Sequence, residues 1–506
     1  MKNTLLLLVS IAFLSACGSQ KNKFMSEQHR PQFHFTPKTG WMNDPNGMVY
    51  FKGEYHLFYQ YYPDSTVWGP MHWGHAVSKD RIRWKHLPIA LYPDKLGYIF
   101  SGSAVVDVQN TSGFGEGKEQ PLVAIYTYHD MAGEKSGRTD FQSQALAYSF
   151  DKGRTWAKYP YNPVIPNQGA KDFRDPKVMW HAPSQQWMMT LAVGDHIEFY
   201  GSKNLINWSK TGEFGKNEGS HNGVWECPDL FPLKTEDGTE KWVLIVNIGN
   251  GAPNGGSGTQ YFVGQFDGKT FKNDQPNDYL WLDYGCDNYA GVTWANAPDD
   301  RRVLMGWMSN WQYAQVVPTK SWRSAMTLPR ELALKTTEKG VRLVQKVIKE
   351  VEILRGPKTD IAPQNISRQI DLKLKPSAKC HELSLNFNMS KTTALDFGVI
   401  LSNSKGENVK ISYQRGTNGF YVDRAYSGKT NFREGFTRGH YAPRFSKNKV
   451  LKMNIYIDVS SIELIADDGE TVITDIFFPT EDFSKIALFG DNGVANLTSG
   501  QLWRLK

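Results

Sequence analysis

WMNDPNGMVY, residues 41–50, sets an acid and a proline directly against an apolar run. Asp44 precedes Pro45 and is therefore biased to extended backbone, while Pro45 suits a strand position that owes the ladder no donor. Asn46-Gly47 supplies a tight turn or a bulge. The stretch predicts the mouth of a strand with a carboxylate held at its opening.

Further along the chain the same order of motif, strand, turn and strand recurs. NDPNG leads into MVYFKGEYHLFYQ, and FSGS (100–103) into AVVDV and LVAIYTY. FRDPK (173–177) leads into VMWHAPSQQWMMTLAV, ECPDLF (226–231) into WVLIVN, and DNYAG (287–291) into VTWANAPDDRRVLMGWM. A second phrase trails these units: SKDRIRW at 78–84, SFDKGRTW at 149–156, SKNLINW at 202–208 and a degenerate QFDGKTF at 265–271. Each joins a polar turn to an aromatic, as an outer β-hairpin does. Five units of roughly 50–70 residues predict an all-β fold that begins with a five-bladed β-propeller. The first strand of each blade then lines the central channel. Asp44, Asp175 and Glu226 are expected to open three units in the same relative place and to converge at one end of that channel.

Converging carboxylates without His or Cys ligands suit either glycoside hydrolysis or a metal site. In the first case burial and nearby negative charge are expected to raise the pKa of the proton-donating acid. Trp41, Trp68, Phe100, Trp225, Trp307 and Trp311 are near in sequence and suited to stack on sugar rings.

The rest of the chain bounds the choice. A length of 506 residues predicts two domains. A net charge of +7 without a long basic block argues against nucleic acid and is compatible with a neutral substrate. The four cysteines form no disulfide framework, no CxxC or HxxxH spacing suggests zinc, and no cofactor motif is present. At the N-terminus, Lys2 and the apolar run Leu5 to Leu14 read as a secretory signal over 1–16. Leu14-Ser15-Ala16-Cys17 resembles the bacterial lipoprotein processing box. It implies cleavage before Cys17, lipid on the Cys17 sulfur and a polar tether over 17–30. The protein is then exported and held by its lipid anchor on the periplasmic or cell-surface face of a bacterial membrane. The propeller is expected over 31–335. A charged linker, either a helix or an extended connector, is expected over 336–355. Period-two alternation over 356–506 predicts a β-sandwich. No protein partner follows from the sequence.

Taken in order, WMNDPNG, FSGS, FRDPK and WECPD resemble glycoside hydrolase family 32, which contains invertases, inulinases and levanases. The resemblance spans about residues 33–335 and implies a five-bladed propeller followed by a β-sandwich, acting on β-fructofuranosides with retention; from the missing ligand spacings and cofactor motifs, neither metal nor cofactor is expected. It implies Asp44 as nucleophile, Glu226 as acid/base and Asp175 as transition-state stabiliser. Asn43, Gln60, Trp68, Phe100, Ser101, Arg174 and Trp311 are implied to shape the fructosyl pocket. GWMSNWQYAQVVPTKSWRSAMTLPREL is more similar to levanases and inulinases than to invertases, so the expected substrate is a fructan or fructo-oligosaccharide cleaved from its end. The alternatives are an endo-acting levanase releasing fructo-oligosaccharides and a non-catalytic sugar-binding lipoprotein.

Overall fold

The computed structural model describes residues 27–117, 119–373 and 379–506. The secretory signal and the lipid-bearing Cys17 expected from the sequence lie outside the described residues. The fold is all-β, with a single five-residue α-helix, Met131–Lys135, among the described residues.

Seven sheets, antiparallel except where Gly40-Trp41 pairs in parallel with Trp322-Arg323, make up the fold of the described residues. Five, each of four or five strands, occupy residues 40–347. Their inner strands are Gly40–Phe51, Tyr98–Val106, Phe173–His181, Trp225–Lys234 and Tyr289–Thr293. These five are neighbours in chain order, and the fifth returns to the first through a parallel bridge between Val49 and Ala295. The inner position explains their composition: Gly40–Phe51 is buried along almost its whole length, whereas the outer strand Trp84–Leu91 is largely half-exposed. The phrases SKDRIRW, SFDKGRTW, SKNLINW and QFDGKTF all form the turn between the third and fourth strands of a sheet. In each, a short polar side chain accepts backbone N–H groups of its own turn: Asp80 from Ile82 and Arg83, Asp151 from Arg154 and Thr155, Asn204 from Ile206 and Asn207, Asp267 from Lys269 and Thr270.

Every inner strand carries a bulge near its start, where two residues oppose one on the second strand. The pairs are Asn43-Asp44 against Gln60, Phe100-Ser101 against Thr127, Asp175-Pro176 against Leu191, Cys227-Pro228 against Val246 and Ala290-Gly291 against Gly306. A bulge bends its strand and re-aims its side chains. Here it does so five times at one end of the ring.

Two sequence expectations give way here. Residues 336–347 are not a linker. Arg330–Thr337 and Gly340–Val347 form a hairpin that completes the fifth sheet, and only the short 3₁₀ turn Lys349–Leu354 precedes the next sheet. The charges that suggested a linker are the outward half of an alternating pair of outer strands. Nor do residues 27–30 behave as tether. Arg30 is buried, bonded to Glu27, Thr36 and Pro37 and stacked over Trp322, and Ser460 Oγ donates to the His29 carbonyl.

Residues 355–505 form a seven-stranded and a six-stranded sheet that share one apolar core, with Leu383 and Leu385 facing Val399 and Leu401 and Phe387 against Phe397. The two halves of the chain meet on buried charge. Arg330 bridges Asp283 and Glu463, and His34 sits between Glu463 (2.7 Å) and Asp458 (2.8 Å). Nearby, Arg424 pairs with Asp287, which also accepts from Tyr313 OH. Burial alone would lower the His34 pKa; its hydrogen bonds to Asp458 and Glu463 outweigh that and hold it at about 9. Raised from 6.5, His34 contributes stability that is complete below about pH 6.5 and lost as pH rises through 9. His34→Gln is expected to unfold about 3 kcal/mol more easily at pH 6. The two proteins should converge by pH 10, as followed by denaturant unfolding across that range.

Candidate active site

The five bulges bring the sequence-predicted acids together. Asp44 is 9 % exposed. One of its carboxylate oxygens accepts from Asn43 Nδ2 (2.9 Å), the other from Ser101 Oγ (2.6 Å) and from the Cys227 thiol (3.4 Å). Asp175 is buried, and its Oδ2 accepts from the Cys227 backbone N–H at 3.0 Å. Cys227 Sγ also lies 3.5 Å from that oxygen, so the thiol touches both aspartates. Glu226, half-buried, accepts from Arg174 Nη2 at 3.0 Å on one oxygen and from the Tyr289 hydroxyl on the other.

The acids do not occupy equivalent positions, contrary to the sequence reading. Aligned on their bulges, Arg174, Glu226 and Tyr289 share the place just before the bulge, and Asp175, Cys227 and Ala290 share its first position. Equivalent positions of adjacent sheets touch: Arg174 meets Glu226, Glu226 meets Tyr289, and Asp175 meets Cys227. Asp175, Cys227 and Ala290 all have positive φ (66°, 41° and 54°), a conformation that costs a non-glycine residue energy and survives only where the surroundings enforce it. The enforcement is visible. Thr127 Oγ1 accepts the Asp175 N–H, while Asn247 donates to the Cys227 carbonyl and accepts the Gly291 N–H.

Arg174, which the resemblance implies as a pocket residue, neighbours Asp175 in sequence. It lies 4.0 Å from that carboxylate but 3.0 Å from Glu226, and its other end is anchored on Asp172. Tyr289 was missed as a site residue. Its signal was its place in DNYAG, but only the bulge register reveals that it matches Arg174 and Glu226. Cys227 is a buried thiol whose pKa burial pushes up, with the three acids adding to the shift; it is no thiolate nucleophile.

Around the acids the aromatic residues divide. Trp41 and Trp307 are fully buried, whereas Trp311, stacked on Trp41 (5.9 Å, 27°), keeps part of its ring exposed. Trp68 and Phe100 meet edge to face at 6.0 Å, both half-buried, and Phe100 lies flat on His129 at 4.2 Å. Gln60 is buried and donates to the Ile99 carbonyl, so it also fixes the Phe100 backbone. The Trp41 indole donates to Asn43, which in turn donates to Asp44. Among the described residues, one cluster has the geometry of metal ligands, and it is not the three acids: His196, Glu198 and Glu213 on the outer strands of the third sheet, where the Lys210 ammonium already bridges the two glutamates.

Residues 34–347 match the N-terminal domain of glycosyl hydrolases family 32, and residues 350–504 match its C-terminal domain. The chain belongs to glycosyl hydrolases family 32. It is 50% identical to a levanase of Bacillus subtilis (strain 168) over 99% of this chain and 73% of that protein. It is 38% identical to an extracellular exo-inulinase of Aspergillus awamori over 95% of each. The crystal structure of the Aspergillus awamori exo-inulinase superposes with a TM-score of 0.88 at 36% identity, covering 95% of this chain and 99% of that one. A β-fructofuranosidase from Schwanniomyces occidentalis complexed with fructosyl-erythritol gives 0.85 at 33% identity, over 95% and 98%. The family makes the chain a glycosidase, and the carboxylates are the groups available for that chemistry.

The electrostatics of the site single out Asp175. Burial, then the charges of Glu226 and Asp44, lift its pKa to about 7 against the pull of Arg174 and the Cys227 N–H. A carboxyl raised from 3.8 destabilises the fold increasingly as pH climbs from about 4 to 7. Asp175→Asn keeps an acceptor for the Cys227 N–H and removes the charge. It is expected to resist unfolding better than the parent at pH 8, by on the order of 2–4 kcal/mol, with no advantage at pH 4. Thermal melts at the two pH values measure this, and activity should fall at both.

Proposed function

We propose that the chain is a retaining fructan hydrolase that removes fructosyl units from the chain end, with its five inner sheets acting as propeller blades around the site. The carrying observation is the meeting of Asp44, Asp175 and Glu226 around Cys227, in a member of this family. Similarity to levanases and exo-inulinases supports levan or inulin as substrate and exo-action as the mode.

The contacts support each role that the resemblance implies. Asp44 is the nucleophile: Asn43 and Ser101 each hold one of its oxygens, so the carboxylate is aimed before substrate arrives. Glu226 protonates the glycosidic oxygen as Asp44 attacks the anomeric carbon, then takes a proton from the water that releases fructose. Arg174 and Tyr289 grip its two oxygens and fix its orientation. Asp175 binds ring hydroxyls. Positive charge developing on the sugar favours its ionised form, so its interaction strengthens in the transition state, which is the condition for catalysis. Trp311, Trp68 and Phe100 supply the apolar walls, and burial of the acids keeps competing water out.

Product chromatography on levan, inulin and sucrose is the direct test. Free fructose should lead from the first time points on the two polymers. Early oligosaccharides without fructose would establish endo-action, and no product from any of the three would end the proposal. The same assay separates the acids. Glu226→Gln should lose about 10²–10⁴-fold on natural substrate yet keep a rapid first step on a fructoside with a good leaving group, seen as a burst. Asp44→Asn should show no burst on any substrate.

Export with a lipid on Cys17 completes the proposal and rests on Leu14-Ser15-Ala16-Cys17. Acyl chains on the mature N-terminus hold a protein at a membrane when more than one is attached. Cys17→Ala is expected to move the protein from the membrane fraction to the soluble fraction, and unchanged partitioning would discard the anchor.

A further inference from the structure

One cavity of the described residues lies away from the acids. It measures about 620 Å³ and lies at the opposite end of the inner strands, between Lys177–His181 of the third sheet and Asp229–Pro232 of the fourth. Lys177 closes it toward the acids: its ammonium sits 3.0 Å from Asp229 and donates to the Thr293 carbonyl at 2.6 Å. The space between this plug and the acids is about 10 Å³, with Lys177, Asp175 and Cys227 in its wall. The far cavity is therefore a separate compartment of the same channel.

Its lining has the make-up of a binding site. Trp180, Trp187 and Trp242 contribute to the wall. Trp180 is half-buried, braced edge-on by Trp187 at 5.2 Å, so its ring is held rigid and part of it stays open. Trp187 is itself fixed by a hydrogen bond from its indole to Thr111. Arg302 lies beside them over the ring of Phe231, at 5.1 Å, and its guanidinium makes no hydrogen bond or ion pair with any described residue. Of the neighbouring charges, Asp229 holds Lys177 and acts with Asp300 on Arg302, Asp107 accepts from Thr111 and Ser112, and Glu240 is exposed. With Lys177 and Arg302 against Asp107, Asp229 and Glu240, the lining carries no excess positive charge. An anion gains little there, whereas a neutral polyol finds a five-donor fork and an aromatic face for its C–H surface. The volume falls in the range of small-molecule sites.

We propose that this cavity is a non-catalytic oligosaccharide site, in which a short run of fructosyl units stacks on Trp180 and is hydrogen-bonded by Arg302. The choice of fructosyl units as occupant rests on the proposed activity; the choice of a neutral sugar rests on the cavity itself. Such a site would hold a polymer chain at the face opposite the acids and raise its local concentration without touching the reaction.

Glu226→Gln in the full chain, titrated calorimetrically with a fructo-oligosaccharide of three to five units, should bind two molecules. Adding Trp180→Ala, or independently Arg302→Gln, should leave one, with the melting temperature showing that each variant is folded. In the otherwise unchanged enzyme the same two substitutions should leave kcat and KM on sucrose and on a trisaccharide unaltered and raise KM on the polymer about 2–5-fold. A single binding event in Glu226→Gln, a second event that survives both substitutions, or displacement of the second sugar by millimolar phosphate would overturn the assignment. These outcomes are distinct from failure of the proposed function. If fructan is cleaved but binds once, the far cavity alone is wrong. If the second event is present and no fructan is cleaved, the catalytic reading alone is wrong.

Discussion

The site depends on one backbone constraint, the extra residue that each inner strand inserts against its neighbour. A regular antiparallel ladder would send alternate side chains to opposite faces of each sheet, so two adjacent residues of one strand could not both reach the axis. Two residues against one break that alternation at a single place in every sheet. Arg174 and Asp175 are adjacent in sequence, yet both engage the same cluster, as do Glu226 and Cys227. The cost is three non-glycine residues with positive φ. It is met by side chains of the second strands: Thr127 and Asn247 supply the hydrogen bonds that the distorted ladder lacks. Gln60 does the same for the first and second sheets through the Ile99 carbonyl.

The sequence made the strands and the three acids legible, because each depends on a local signal. Pro45, Pro176 and Pro228 mark places where the ladder needs no donor, and the polar turn with its aromatic marks every outer corner. What stayed hidden depended on register. A bulge moves the count by one, so Glu226 reads as the counterpart of Asp175 when its true counterpart is Arg174. Tyr289 was overlooked for the same reason, since a tyrosine before Ala-Gly has no chemistry until the register sets it against Glu226. The linker reading failed differently. Leu332, Leu334, Leu343 and Val344 are buried while the charged residues between them face outward, and composition averaged over such a hairpin looks like a connector. Arg30 shows the converse, a cation in a polar stretch that is buried because Glu27, Thr36, Pro37 and Trp322 satisfy it.

Buried charge is used in two opposed ways in this molecule. Where the five sheets meet the sandwich, acids and bases are balanced: Arg330 and protonated His34 against Asp283, Glu463 and Asp458, with nearly every oxygen accepting a hydrogen bond. Such pairing repays much of its desolvation and fixes one relative orientation of the two parts, since no other docking would satisfy all partners. At the acids the balance is withheld. Among the described residues Arg174 alone forms ion pairs with these acids, reaching Glu226 and Asp175 but not Asp44, and Asp175 bears the excess as a raised pKa.

That imbalance is destabilising in the empty protein and useful in the working one. A sugar ring acquiring positive charge between three acids supplies the missing cation at the moment of bond breaking, so the interaction is stronger in the transition state than with bound substrate. The acids could otherwise relieve their repulsion by moving apart, and the fold forbids it. Each sits on a different sheet, each sheet is closed against the next by the hydrogen bonds of its bulge, and the ring is sealed through Val49 and Ala295. A closed ring of sheets has no free edge along which one acid could retreat without disturbing the others. The rigidity that the five inner strands gain from being mostly buried is therefore what keeps the negative charge concentrated until substrate arrives.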